Sequence, residues 1–489
     1  SSAASDVYKR QGCDQTADDR AWFTRLSPGE EGHIERSWIQ SPCFDLTGIQ
    51  RPLIRLDILR SFVPNVDGAV LQYQDVVEEG WKTLGASTPG IAWYNATSIL
   101  NQPGGSSIGW GAVEFRPDTA WVTAVHDLDQ VAGSPGVSFR IAVATNGQLA
   151  MGNQGFAFDN LIIAERSKLS VLEHFTDYSD DSSRLANEII DAIGNKYRQD
   201  IIDLQYHLSN DGVDPMFLNN PYPSSTRSFN YGVPGVPYTI LNGGAYPHHR
   251  YDYPALKTGP LEDHVRMLSL EIPEFEIDLT VDWSESGLEA HTTVTCTAGR
   301  FDANIQLYLV VFETSVTAYT EHNGDIPFSN VVLDMLPSPA GKLLGDNWVQ
   351  GKSDVRTETW TYASYVEDID DLAVAAFIQD RSSSRILQAA VDYKDKTVGV
   401  LRRSTDKTEL TVYPNPAAHV LHVNLGTGSE DTGRLELMDI SGKVMMLEDV
   451  PAGTRIFRLN MASLTSGLYF LRWVDAGQVR GVSKVVKTR

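Results

Sequence analysis

The chain has 489 residues, with 40 basic against 63 acidic side chains and a formal net charge of −23. Phosphate binding needs clustered Lys and Arg, so this balance argues against a nucleic-acid partner and suits a protein in the open medium. No run of 18 apolar residues offers a spanning helix. The length suggests three or four domains at about 150 residues each.

Residues 1–19 show no basic-then-apolar signal pattern and read as a foreign or truncated end. Three cysteines are too few for a disulfide scaffold and match no metal spacing. Cys13 and Cys43 can pair near the N-terminus. Cys296, in the alternating stretch HTTVTCTA, reads as a small buried hydrophobe.

Residues 20–167 alternate apolar and polar positions in PLIRLDILRSF, GAVLQYQDV, WVTAVHDL and VSFRIAVATN, with Gly, Pro, Asn and Asp between them. That pattern predicts a β-sandwich. Trp81, Trp93, Trp110 and Trp121 serve either as a stacking face for sugar rings or as core. Asp67, Asp127 and Asp129 either offer oxygen ligands to calcium or are solvated loop residues.

Residues 168–270 change period. A strand at 171–175 leads into the polar turn 177–183, and the following helix sets Leu185, Ile189, Ile190 and Ile193 on one face. A second buried strand, 200–208, makes the order β–α–β and predicts parallel pairing. Ser182 or Ser183 offers the helix N-cap, and the neighbouring Asp residues favour the positive end of the dipole. His207 closes the second strand as a hydrogen-bonded structural group. Pro237, in VPGVPYTIL, is the candidate cis proline. The cluster YPHHRYDYP, 246–254, holds His248, His249 and Asp252. It is read as a packed surface loop, a ligand contact or a metal site, the last weakened because neighbours on an extended chain point opposite ways.

Residues 271–395 return to alternating strands and predict an immunoglobulin-like or fibronectin-like sandwich, with a charged linker at 396–407. In residues 408–489, Pro414 and Pro416 deny donors at an edge strand, and Ser441-Gly442 makes a hairpin turn within a small seven-stranded sandwich. The chain contains no G-x-S-x-G, H-E-x-x-H or P-loop, and no catalytic residue is named.

Three resemblances add to this reading. SWIQSPCFDLTG, DGAVLQYQDVVEEGWKTLG and GFAFDNLIIAE resemble a MAM-type or lectin-like jelly roll. VLEHFT, the YH at 206–207, DPM at 214–216, NP at 220–221, Arg227 and YGVPGVPYTILNG resemble the thioredoxin-like domain of a Bacteroidetes outer-membrane and secreted family, which an Ig-like module follows. That family carries two cysteines after the Phe-Thr. Here the turn holds Asp180 and Ser183, and serine is far too weak an acid to replace a thiolate, so redox activity is not carried over.

YPNP (Pro414, Asn415, Pro416), DISGKV (Gly442), LTSGLYFL (Gly467, Tyr469) and the terminal KVVKTR resemble the type A C-terminal sorting domain of Bacteroidetes type IX secretion. The resemblances imply a mainly β multidomain protein at the cell surface or outside the cell. Its parts are a jelly-roll sandwich, a degenerate α/β thioredoxin-like domain, an Ig-like sandwich and a small C-terminal sandwich. The expected role is non-enzymatic binding, adhesion or structural assembly, with no cofactor other than calcium. Expected partners are the secretion machinery, glycans, other surface proteins or a second copy through edge strands. The alternatives are a thioredoxin-fold enzyme or chaperone, and a calcium- or carbohydrate-dependent lectin.

Overall fold

A computed structural model describes residues 6–9, 20–23, 35–76, 80–112, 120–146, 155–210, 213–319, 327–394, 410–413, 417, 419–425, 433–439, 443–454, 456–475 and 478–488. The architecture is mainly β, and the chain divides into two units, Ser1–Thr397 and Val398–Arg489.

The first unit opens with β1 (Asp6–Lys9), β2 (Arg20–Phe23), β3 (Glu35–Phe44), β4 (Pro52–Ser61), β5 (Gly68–Asp75), β6 (Lys82–Thr83), β7 (Val122–Asp127), β8 (Val137–Thr145) and β9 (Gly155–Glu165). They form two antiparallel sheets, ordered β1-β2-β9-β4-β7 and β3-β8-β5-β6. Alternation decides what lies between them: Leu71, Phe139, Ile141 and Val143 point inward, against Ile54, Leu56 and Phe156. The pairing of β1 with β2 carries part of segment 1–19, set aside above, into the first sheet.

Next come β10 (Ser170–Thr176), α1 (Asp181–Lys196), β11 (Ile201–His207), α2 (Pro215–Asn219), α3 (Pro221–Tyr231), β12 (Tyr238–Leu241), β13 (Arg250–Asp252), α4 (Tyr253–Thr258) and α5 (Leu261–Ser269). β10 and β11 pair in parallel, and β12 runs antiparallel to β10. Helix α1 buries Ala186, Ile190 and Ile193, with Ile189 partly covered. Leu185 stands at the edge of that face and stays exposed, contrary to the helical-face expectation. Helix α3 starts at Pro221 under the Asn220 cap and stops at Gly232, whose φ of 62° is easy only for glycine.

The rest of the unit is β14 (Phe275–Trp283), β15 (Gly287–Cys296), β16 (Arg300–Phe301), β17 (Ile305–Val316), β18 (Phe328–Leu336), β19 (Lys342–Gly345), β20 (Trp348–Val349), β21 (Ser353–Thr361), β22 (Leu372–Asp380) and β23 (Ile386–Tyr393). Strand β18 pairs in parallel with β11 through Gln205 and Val331. One nine-stranded sheet therefore crosses both sides of residue 270, in the order β13-β12-β10-β11-β18-β17-β22-β23 with β19 on β17. This pairing covers an edge that β11 would otherwise leave open.

Buried side chains fasten the joint. Arg227 donates from Nε and Nη2 to the two Glu173 oxygens, each at 2.8 Å, and from Nη1 to Gln379 on β22 at 3.2 Å. The Tyr231 hydroxyl donates to Glu173 and accepts from Gln379 Nε2. Lys168 is fully buried and donates to the carbonyls of Ile386 and Leu387.

The second unit holds β24 (Thr411–Tyr413), β25 (Val420–Asn424), β26 (Gly433–Asp439), β27 (Val444–Val450), β28 (Ile456–Asn460), β29 (Gly467–Asp475) and β30 (Gln478–Lys487). Among the described residues they make sheets ordered β24-β25-β28 and β27-β26-β29-β30 around Leu421, Leu437, Leu471 and Trp473.

Candidate functional site

The turn between β10 and α1 is a closed helix start. Asp180 is the N-cap and accepts from Ser183 N at 2.7 Å, which corrects the expected Ser182 or Ser183 cap. Ser183 is buried, and its Oγ accepts from Asp177 N at 3.2 Å. Asp177 in turn accepts from Ser179 N and Asn210 N, each at 2.8 Å. A carboxylate wins the cap because it accepts a charge-assisted bond beside the positive end of the helix.

Tyr178 turns away onto Tyr319 and Phe328, which flank the gap between β17 and β18, and onto Met216 of α2. Met216 and Val316 also line a cleft of about 460 Å³ with Asn219, Glu313, Tyr319 and Tyr365. Burial raises the Glu313 carboxyl, although it accepts from the backbone N–H groups of Asp368 and Glu367. Pro237 follows a cis peptide bond from Val236 and lies buried. The register pairing Phe175 with Tyr238 sets it at the same end of the sheet as the turn.

His207 is buried and shares 2.8 Å with Asp214 through Nδ1. Asp214 also caps α2 by accepting from Met216 N and Phe217 N. Burial works against the Asp214 charge, but His207 and the backbone donors Tyr178 N and Phe217 N hold its carboxyl below the usual range.

The histidine cluster is tighter than the sequence suggested. His248 and His249 sit in a 3-10 turn, not an extended strand, and their ring centroids are 4.6 Å apart. Helix α5 adds His264, at 5.0 and 5.2 Å from the two, which the sequence reading missed for lack of any local signal. Asp252 is not part of it, because its carboxylate caps α4 by accepting from Ala255 N at 2.9 Å. Burial and the neighbouring histidines push His249 down to about 4.

The aromatic residues of the first sandwich divide. Trp93 is core: it packs edge-on to Trp110 at 4.9 Å and donates from Nε1 to Leu84 O. Trp81 instead lies on the outer face of the sheet, 4.4 Å from the Arg140 guanidinium. Trp38 of β3, quoted within SWIQSPCFDLTG but not singled out as a ligand contact, is 58% exposed and lies 5.6 Å from the same guanidinium. Arg140 Nε donates to Gln72 Oε1 at 2.8 Å, and among the described residues its two Nη groups have no hydrogen-bond or ion-pair partner.

The acidic candidates do not converge. Asp127 pairs opposite Leu53 at the start of β4, whereas Asp67 lies beyond that strand's other end. Asp67 is buried, accepts from Asn101 Nδ2 and Asn146 N, and is raised by burial. Asp127 accepts from Arg266 at 2.7 Å, and Asp129 pairs with Arg166 at 2.9 Å. Among the described residues no three His, Cys, Asp or Glu side chains are grouped to hold a metal ion. Cys43 is exposed and Cys296 buried, while the Cys13–Cys43 pairing falls outside the described residues because Cys13 does.

In the second unit Gly467 opens β29 opposite Lys487, and the buried Tyr469 donates its hydroxyl to Thr465 O at 2.9 Å. Pro414, Asn415, Pro416 and Gly442 lie outside the described residues, as does the linker at 396–407. Residues 411–488 match the family described as the secretion system C-terminal sorting domain. That domain directs export by the type IX system to the cell surface or extracellular space. The sorting domain's partner is the type IX machinery.

No curated protein matches the chain. Among solved structures, HBP35 of Porphyromonas gingivalis is similar at 16% identity and a TM-score of 0.38, over 66% of this chain and 99% of its own. A domain of the outer membrane lipoprotein Omp28, also from Porphyromonas gingivalis, aligns at 10% identity and a TM-score of 0.17, over 25% of this chain and 89% of its own. A two-domain fibronectin type III segment of chicken tenascin aligns at 12% identity and a TM-score of 0.15, over 43% of this chain and 98% of its own.

Proposed function

We propose that this exported protein is a non-enzymatic surface binder whose first sandwich holds an acidic glycan. In this reading the body comprises a jelly-roll sandwich, a thioredoxin-like segment stripped of its redox cysteines and an Ig-like sandwich. The observation that carries it is the row of Trp38, Arg140 and Trp81 across the outer face of β3-β8-β5-β6.

Indole faces stack on the apolar C–H face of a pyranose ring, and a guanidinium fork matches a carboxylate. Arg140 is already fixed by Gln72, so little side-chain freedom is lost on binding. The capped turn of α1 supports the non-enzymatic part: it contains no thiol, and Tyr178 packs its outer side.

The test is binding of the full chain to carboxylated and neutral glycans. Trp38→Ala and Trp81→Ala are each expected to weaken binding about tenfold. Arg140→Gln removes the preference for acidic sugars. Absence of binding to any glycan, or full affinity in both tryptophan variants, sinks the proposal. Catalytic turnover in an insulin-reduction assay would overturn its non-enzymatic part.

A further inference from the structure

Beneath α1, one polar cluster has charges that the protein does not balance. Asp203 and Gln205 point from the same face of β11, 6% and 0% exposed, and Asp191 of α1 hangs over them. Gln205 Nε2 donates to Asp191 Oδ1 at 3.0 Å and to Asp203 Oδ2 at 3.5 Å. From the neighbouring strand, Asn330 Nδ2 donates to Asp203 Oδ2 at 3.3 Å, and Ser329 bonds Asp191. β18 skips Asn330 in its register with β17, and the residue's φ of 51° aims it out of the ladder toward β11.

Two carboxylates thus share one site, and no Lys or Arg contributes to either. Asp203 Oδ1 and Gln205 Oε1 are buried without any hydrogen-bond partner. Native proteins rarely leave such oxygens orphaned, and a like-charge pair in a low dielectric is relieved either by a bound cation or by a shared proton.

We infer that Asp191, Asp203, Gln205, Ser329 and Asn330 form a calcium-class cation site that clamps β11 and α1 to β18. Two carboxylates, two amide oxygens and a hydroxyl supply five hard oxygen ligands, and water completes the six to eight that calcium takes. Each amide turns about its last bond to present oxygen instead of nitrogen, which brings the orphaned Gln205 Oε1 into use. Ser329, Asn330 and Asp191 are half-buried and give the ion a way in. The ion adds a bridge beside the one backbone register pair, Gln205 with Val331, that joins β11 to β18. This inference is independent of the glycan proposal.

The test uses the full chain, stripped with chelator, in a calorimetric titration with calcium chloride and a parallel thermal unfolding scan. Sites of extracellular modules bind calcium at about 0.1–1 mM, so about 10 mM is expected to raise the Tm by about 3–10 °C. Magnesium, which demands a tight octahedron, is expected to give less than half that rise. Asp203→Asn and Asp191→Asn abolish both binding heat and Tm rise, whereas Asp67→Asn keeps them. Asn330→Ala leaves both charges in place and weakens affinity about tenfold, which covers the case of a carboxylate variant that fails to fold. A wild-type chain with neither heat nor Tm rise at about 10 mM calcium overturns the inference, since a shared proton then holds the pair. A rise surviving in both Asp→Asn variants overturns it equally.

Discussion

The two faces of the β10–β11 sheet bury charge in opposite ways. Toward α3, Glu173 meets Arg227 in a two-pronged ion pair, with Tyr231 and Gln379 satisfying what remains. Toward α1, Asp203 meets Asp191, and two oxygens are left unpaired. Glu173 and Asp203 are both buried, so for these two carboxylates the contrast lies in charge balance and not in depth. A balanced set holds elements together by itself. An unbalanced one depends on something the chain does not supply.

The largest effect that would break this contrast is expected at Arg227. Arg227→Met strands Glu173 in the core and is expected to cost about 3–5 kcal/mol in denaturant unfolding. Adding Glu173→Leu should recover most of that loss, because paired apolar replacements remove the orphaned charge. Asp203→Asn in chelator is the matching change on the other face. It is expected to cost under about 1 kcal/mol, since Asn mimics the protonated acid. Equal losses at the two sites would erase the distinction.

Lys168 extends the comparison to a lone buried cation. Burial lowers its pKa to about 8, against the pull of Glu271 and ahead of the push from Arg385. A base whose folded pKa lies below its unfolded value costs stability while the unfolded chain holds the extra proton. Stability therefore rises from about pH 8 to about 10.5, by at most about 3 kcal/mol. Lys168→Met is expected to remove this rise, read as the wild-type minus variant difference so that tyrosine ionisation cancels.

The histidine cluster sharpens the same point at acid pH, with like groups side by side. His249 titrates at about 4 in the fold and near 6.5 unfolded, so stability is lost as pH falls from 6.5 toward 4. His249→Asn should flatten that loss by about 2 kcal/mol in pH-dependent thermal unfolding. His264 is also lowered, by burial and His248, with Asp263 opposing, so a residual slope is expected to persist.

How much of this was legible in the sequence depended on range. Alternation marked β4, β5, β7 and β8, and the 3.6-residue period marked α1, because each is a local pattern. The sorting motifs stand close together and carried the export reading by themselves. The clusters that matter most were hidden, because long-range pairing makes them. Asn330 reaches Asp203 only through the β11–β18 contact, and His264 reaches His248 only through the packing of α5. Trp38 looked like any alternating strand residue until β8 set Arg140 beside it. The adjacent histidines were misjudged for a plainer reason: Pro247 starts a tight turn, and the strand rule does not apply there.

The smallest expected effect concerns the turn on the α1 face. Asp180 accepts directly from Ser183 N, whereas Asp181 touches the helix only through its field. Asp180→Ala should therefore cost about 1 kcal/mol, and Asp181→Ala about 0.3 kcal/mol, with the latter vanishing in high salt. Denaturant unfolding at low and high ionic strength separates them. If both losses prove equal and salt-sensitive, the capping bond contributes nothing beyond the helix dipole. The closed turn would then owe its shape to Tyr178 packing on Phe328 and Met216, and Tyr178→Ala would open it where Asp180→Ala does not.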